Sequence, residues 1–164
     1  MYDKLKDIFT NVNEWLKFAE AKHAGLIVLN SGTVFGLLTL QSGMPGWVLM
    51  LAVFFVGASL YTSFASMFPL TLKGIEDKKD FDQINVYFSG DLARLGKDDL
   101  KQIMLKQMKI QHTFDGMEED LIQQIIANAR VAARKYFLFK VALILLMTGL
   151  VPVFMYVGYT ALFN

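Results

Sequence analysis

The sequence contains no cysteine, and only three prolines and two histidines among its 164 residues. Without cysteine there is no disulfide framework and no thiolate metal site, and the chain suits a reducing compartment. The two histidines, His23 and His112, are far apart in the sequence. No HExxH, no GxSxG elbow and no glycine-rich phosphate loop is present. We therefore expect no enzyme, with no catalytic residue, no metal ligand and no resident cofactor. The acidic groups Asp98-Asp99 and Glu118-Glu119-Asp120 fall at expected helix starts. Capping accounts for them there, against a competing reading as general acid–base pairs.

Charge is also missing, from three long stretches. Ala24 to Leu40, Trp47 to Phe68 and Val141 to Phe163 run for 17, 22 and 23 residues without an Asp, Glu, Lys or Arg. At about 1.5 Å per helical residue each reaches across a hydrocarbon core of roughly 30 Å, the first only just. With 54% hydrophobic residues, the chain reads as a membrane protein. The long amphipathic segment before the first run argues against a cleaved signal peptide.

All 16 Lys and Arg and all 15 Asp and Glu lie within residues 3–22 or 73–140. The connecting QSGMPG (41–46) and the tail 161–164 carry none. The positive-inside rule then places the N-terminus and the long central segment in the cytoplasm and the C-terminus outside. The expected fold is an all-α membrane protein with three transmembrane helices, N-in and C-out. A cytoplasmic helical bundle is formed by the N-terminal helix and the 69–136 segment. Its parts are an amphipathic helix at 1–23, spans at 24–41, 47–68 and 137–163, and a sensor or oligomerisation region at 69–136. A competing two-span fold turns the last run back at Pro152.

Leu5, Ile8, Phe9, Val12, Trp15, Leu16 and Ala19 recur at three- and four-residue steps, and nothing stops that helix at Lys22. It is expected to enter the first span as one rod, against a flat interfacial helix hinged at Gly25. Near the other end, Ile122, Ile125, Ile126, Ala129, Ala132, Ala133 and Tyr136 form a matching stripe that leads into the last span. Between the rods, helices are expected over Phe81–Leu95 and Asp98–Gln111, with Gly96 as a C-cap and Asp98 as an N-cap.

Three groups of residues are candidates for function. In the spans, Asn30 needs a partner in hydrocarbon, and Gly32 and Gly36 have the small-xxx-small spacing of close helix contacts. With Thr148, Gly149 and Pro152 they are candidates for transmembrane packing or for lining a pore. In the cytoplasmic part, Tyr87, Phe88, Asp91 and Arg94 combine aromatic rings with charge, a set that can stack a base and meet a phosphate. A packed elbow is the competing reading. Arg130, Arg134 and Lys135 gather near the membrane surface, with Lys22 on the first rod. They can capture a small anion or simply meet lipid headgroups.

FAEAKHAGLIVLN at the first span, YFSGDLARL in the cytoplasmic segment and ARVAARKYFLFKVALILLMTGL at the last span together resemble the transmembrane effectors of bacterial Pycsar antiphage systems, the PycTM-like family. Where that family tends to have Asp, this chain has Glu20. The resemblance implies an effector that responds to a cyclic pyrimidine mononucleotide, cyclic CMP or cyclic UMP, made by a partner pyrimidine nucleotide cyclase on phage infection. The response impairs the inner membrane, so that growth stops or the cell dies. By matched position it singles out Glu20, Lys22, Asn30, Tyr87, Phe88, Gly90, Arg94, Arg134, Lys135 and Tyr136. The expected partners are the lipid bilayer, further copies of this chain in a homo-oligomer, and the cyclase; no nucleic acid is expected. A membrane scaffold that docks a cytoplasmic partner is the alternative.

Overall fold

The structure, a computed structural model, describes residues 1–68, 84–109 and 111–163. Among the described residues every regular element is helical: α1 (Tyr2–Leu40), a single 3-10 turn (Gln41–Gly43), α2 (Gly46–Ala65), α3 (Ser89–Leu92), α4 (Lys97–Met108) and α5 (Gly116–Phe163). α1 runs 39 residues without a break at Gly25, because one interior glycine costs only about 1 kcal/mol against the packing on either side of it. α5 runs 48 residues straight through Pro152, so the last apolar run does not fold back. Proline removes one backbone donor, a loss that transmembrane helices tolerate. Three helices are long and apolar enough to cross a membrane.

The chain forms two compact bodies, one of Met1–Ala19 with Pro69–Lys135 and one of Glu20–Phe68 with Tyr136–Asn164. Both α1 and α5 supply residues to each body without interruption.

In the first body Leu5, Ile8 and Val12 of α1 pack with Leu100 and Ile103 of α4 and with Ile122, Ile125 and Ala129 of α5, all at most 2% exposed. These are the stripes expected from the periodicity. The helix expected over Phe81–Leu95 is not there: residues 81–83 lie outside the described residues, 84–88 are non-helical, and only Ser89–Leu92 form a turn of helix. The Asn85 side chain accepts a hydrogen bond from the Tyr87 N–H at 2.9 Å, and the Phe88 N–H donates to the Asn85 carbonyl at 3.0 Å. An Asx turn thus replaces the helix, as asparagine side chains favour.

Gly96, expected as a C-cap, is instead the N-cap of α4, and its N–H donates to the Asp99 carboxylate at 2.9 Å. Asp99, not Asp98, is therefore the capping acid. α4 stops at Met108 rather than Gln111, with Lys109 in the left-handed region at φ 52°.

α5 begins with a reciprocal box. The Glu118 N–H donates to Asp115 Oδ1 at 2.8 Å, and the Asp115 N–H donates to Glu118 Oε2 at 3.3 Å. Glu119 clasps α4 to α5, accepting from Lys97 at 2.6 Å and from Lys101. The Lys101 and then the Lys97 hydrogen bonds hold its carboxyl down from the ordinary 4.5 to about 2. A carboxylate whose folded pKa is depressed lends stability that is present above 4.5 and is lost as pH falls towards 2. Thermal unfolding followed from pH 5 to pH 2 should therefore show a decline that Glu119→Gln flattens. The pair is solvent-accessible, so the contribution is modest.

In the second body the buried positions recur at helical spacing: His23, Leu26, Asn30 and Leu37 on α1, Val48, Ala52, Val56, Ser59 and Ser63 on α2, and Ala142, Leu146 and Val153 on α5. The opposite faces present large apolar side chains, among them Val28, Phe35, Met50, Phe54 and Phe154, each at least 66% exposed. Apolar surface of that extent is suited to lipid.

Candidate functional site

The Asx turn at Asn85 sends its two aromatic rings in different directions. Tyr87 lines a groove of about 440 Å³ with Lys4, Ile8, Val86, Met104, Gln107 and Met108. Phe88 meets Trp15 edge-on, with ring centroids 6.3 Å apart. A Cβ at Gly90 would come within 2.6 Å of the Phe88 ring, so glycine leaves room for the ring to lie back over its own turn. Phe88 thus meets Trp15, while Tyr87 is the ring that lines the groove. Asp91 closes the elbow by accepting from the Asn85 N–H at 3.2 Å. Arg94 is exposed.

Arg130 is committed to the elbow. Its Nε donates to the Ala93 carbonyl at 3.2 Å and its NH2 group to the Leu95 carbonyl at 3.0 Å. These carbonyls follow α3, where the chain leaves its last helical turn and has no backbone donors to offer them. Lys135 is buried and Arg134 half-buried, and both are engaged. Lys22 belongs to the second body, where its ammonium lies over the Tyr136 and Phe139 rings at 5.2 and 5.4 Å. Lys4 and Gln107 were not among the sequence candidates. Both read as solvated faces of amphipathic helices, and only the tertiary fold puts them beside Tyr87.

The second body has a polar bridge in its interior. Asn30 Nδ2 donates to Ser59 Oγ at 3.1 Å and to the Leu26 carbonyl at 2.9 Å, and the Ser59 hydroxyl donates to the Ala142 carbonyl at 2.7 Å. Asn30 and Ser59 are both 0% exposed, so the bridge ties α1, α2 and α5 together out of reach of water. Asn30 Oδ1 has no partner. The neighbouring Ser31 and Thr33 hydroxyls donate to their own helix at Ile27 and Leu29.

At Gly149 α5 comes close to α2: a Cβ there would lie 2.9 Å from the Phe55 Cβ and 3.3 Å from the Ala52 carbonyl. A Cβ at Gly32 or Gly36 would meet nothing within 4 Å, so among the described residues the small-residue spacing on α1 serves no contact within one chain. Thr148 donates to the Ile144 carbonyl at 2.8 Å, which leaves its hydroxyl satisfied within α5 beside Gly149 and Pro152.

A helical chain with three candidate spans and a bundle rooted in two of the same helices defines a class of membrane protein, and the sequence comparisons place it. Residues 4–162 match the Pycsar effector protein domain, and the chain belongs to that family of antiphage defence effectors, as its three motifs implied. It is 27% identical over 157 residues to the Pycsar effector protein PtPycTM of Propioniciclava tarda, covering 94% of this chain and 78% of that one. No solved structure matches.

Proposed function

We propose that the chain senses a cyclic pyrimidine mononucleotide, cyclic CMP or cyclic UMP, made by a partner pyrimidine nucleotide cyclase, and responds by impairing the bacterial inner membrane. The N-terminus and the 69–136 segment face the cytoplasm and the C-terminus lies outside, the arrangement the charge distribution favours. Asn30 carries the reading. Its unpartnered oxygen costs about 1–3 kcal/mol, whereas an interhelical hydrogen bond within a membrane returns only about 0.6 kcal/mol. As glue the amide costs more than it contributes. It becomes useful in a second packing of the spans, where the free oxygen accepts from water or coordinates a permeating cation.

Asn30→Leu, close to Asn30 in shape, should accordingly leave the resting chain as stable as before, or up to about 2 kcal/mol more stable, while removing the response. A clear loss of stability in a detergent unfolding titration would reduce the amide to glue.

A ligand that binds the second packing tenfold more tightly shifts the balance by about 1.4 kcal/mol. The unbroken α1 and α5 offer a stiff route for that shift. A homo-oligomer is the arrangement in which Gly32 and Gly36 find a use, each admitting a second copy's helix at close range. Gly32→Ala and Gly36→Ala meet no obstacle within the chain, so a loss of activity from them reports association.

The deciding experiment is dye leakage from liposomes holding the purified protein, with cyclic CMP, cyclic UMP, cyclic AMP or no ligand. Leakage with one cyclic pyrimidine nucleotide alone supports the reading. Silence under every condition supports a scaffold that docks a cytoplasmic partner.

A further inference from the structure

The groove beside Tyr87, in the first body, brings an apolar floor against polar groups that the fold does not use. Ile8, Val86 and Met104, at 2%, 7% and 3% exposure, form its floor. Around them stand the Lys4 ammonium, the Tyr87 phenol and the Gln107 amide. Among the described residues none of these three side chains makes a hydrogen bond or ion pair, whereas several other cations of this body are engaged: Lys97 and Lys101 on Glu119, Arg130 on the elbow carbonyls, and Lys6 over the Tyr2 ring at 4.7 Å. At about 440 Å³ the groove falls within the range of small-molecule sites, roughly 300–1,000 Å³.

We propose that this groove, and not the Arg94–Arg130–Arg134 side of the elbow, is where the chain binds its nucleotide. The assignment rests on the sensing function proposed above and gives it an address. The ring of the base lies along Tyr87 and the apolar floor, where its π-face replaces water. Gln107, with one donor group and one acceptor, reads the hydrogen-bonding edge of the base. Lys4 meets the phosphate. A cyclic phosphodiester carries a single negative charge, and the groove supplies one cation to match it.

The same groove explains how occupancy reaches the rest of the chain. Lys4 and Ile8 lie on α1, Gln107 and Met104 on α4, and Tyr87 on the elbow that Arg130 of α5 holds in place. A ligand seated there touches α1 and α4 directly and α5 through one hydrogen-bonded residue.

The test is equilibrium binding of cyclic CMP and cyclic UMP to the full chain in nanodiscs, measured by calorimetry, with neutral cytidine and uridine as controls. Lys4→Gln is expected to weaken binding of the cyclic nucleotide about tenfold and leave the weak nucleoside binding unchanged. Lys4→Arg should restore most of the loss. Tyr87→Leu should weaken nucleotide and nucleoside alike, by about tenfold, and Arg94→Ala should change neither. Lys4 is an exposed helical position and its replacement leaves the core intact, so the result does not hinge on Tyr87→Leu folding. If the wild-type chain binds a cyclic nucleotide and Lys4→Gln and Tyr87→Leu bind it equally well, the groove is wrong and the sensing function stands. If the wild-type chain binds neither nucleotide, both fall together.

Discussion

Gly149→Val unfolds the second body at markedly lower denaturant than the wild-type chain. The first added carbon would already stand 2.9 Å from the Phe55 Cβ and 3.3 Å from the Ala52 carbonyl, and both are tied to the α2 backbone and cannot swing aside. Relief requires α2 and α5 to separate, which strains the Ser59 bond to the Ala142 carbonyl. Overpacking of this kind costs about 1–3 kcal/mol, and two further methyl groups put valine at the upper end. Exchanging glycine for valine in a helix returns only a few tenths of a kcal/mol. The contact therefore decides the sign. The midpoint of a mixed-detergent titration reads the effect, with Gly32→Ala as the control that should be neutral or slightly stabilising. Equal midpoints for Gly149→Val and wild type would mean that α2 and α5 do not pack here.

Arg130→Ala loosens the elbow even when no ligand is present. Each hydrogen bond from a charged donor is worth about 1.5–3 kcal/mol, and truncation orphans the Ala93 and Leu95 carbonyls beside Leu92 and Leu95, which are 0% and 3% exposed. A loss of about 2–4 kcal/mol follows once the two bonds are allowed to be non-additive. Arg130→Lys recovers less than half, because one ammonium cannot span both carbonyls as the planar fork does. Trp15, edge-on to Phe88, reports the change: in a Trp47→Phe background its emission should shift to the red on Arg130→Ala. An anion-capturing Arg130 makes the opposite prediction, with stability untouched and ligand response lost.

These two residues also mark the limits of what the sequence discloses. The long stripes of α1 and α5 are legible because burial repeats every three to four residues, and the two helices carry no breaker where the environment changes. Asn30 and Ser59 are legible one at a time as polar groups in apolar runs, but their pairing across 29 residues is not. The elbow is misleading because NVYFSGD has the apolar content of a helix, while one asparagine side chain turns the backbone away. Arg130 reads as a membrane-surface cation until the carbonyls 35 and 37 residues earlier are brought against it. Lys4 and Gln107 carry no local signal at all, since a groove exists only once three elements meet.

The unbroken α5 imposes a rule of phase on the second body. Along α5 the buried positions Ala142, Leu146, Gly149 and Val153 of the second body recur at steps of three and four residues and so share one face. One residue inserted between Ala142 and Leu146 would turn everything beyond it by about 100° and carry Leu146, Gly149 and Val153 off the face that Ala142 keeps. Four residues would nearly restore the angle while lengthening the rod by about 6 Å. Length within this stretch is therefore free to change only in whole turns.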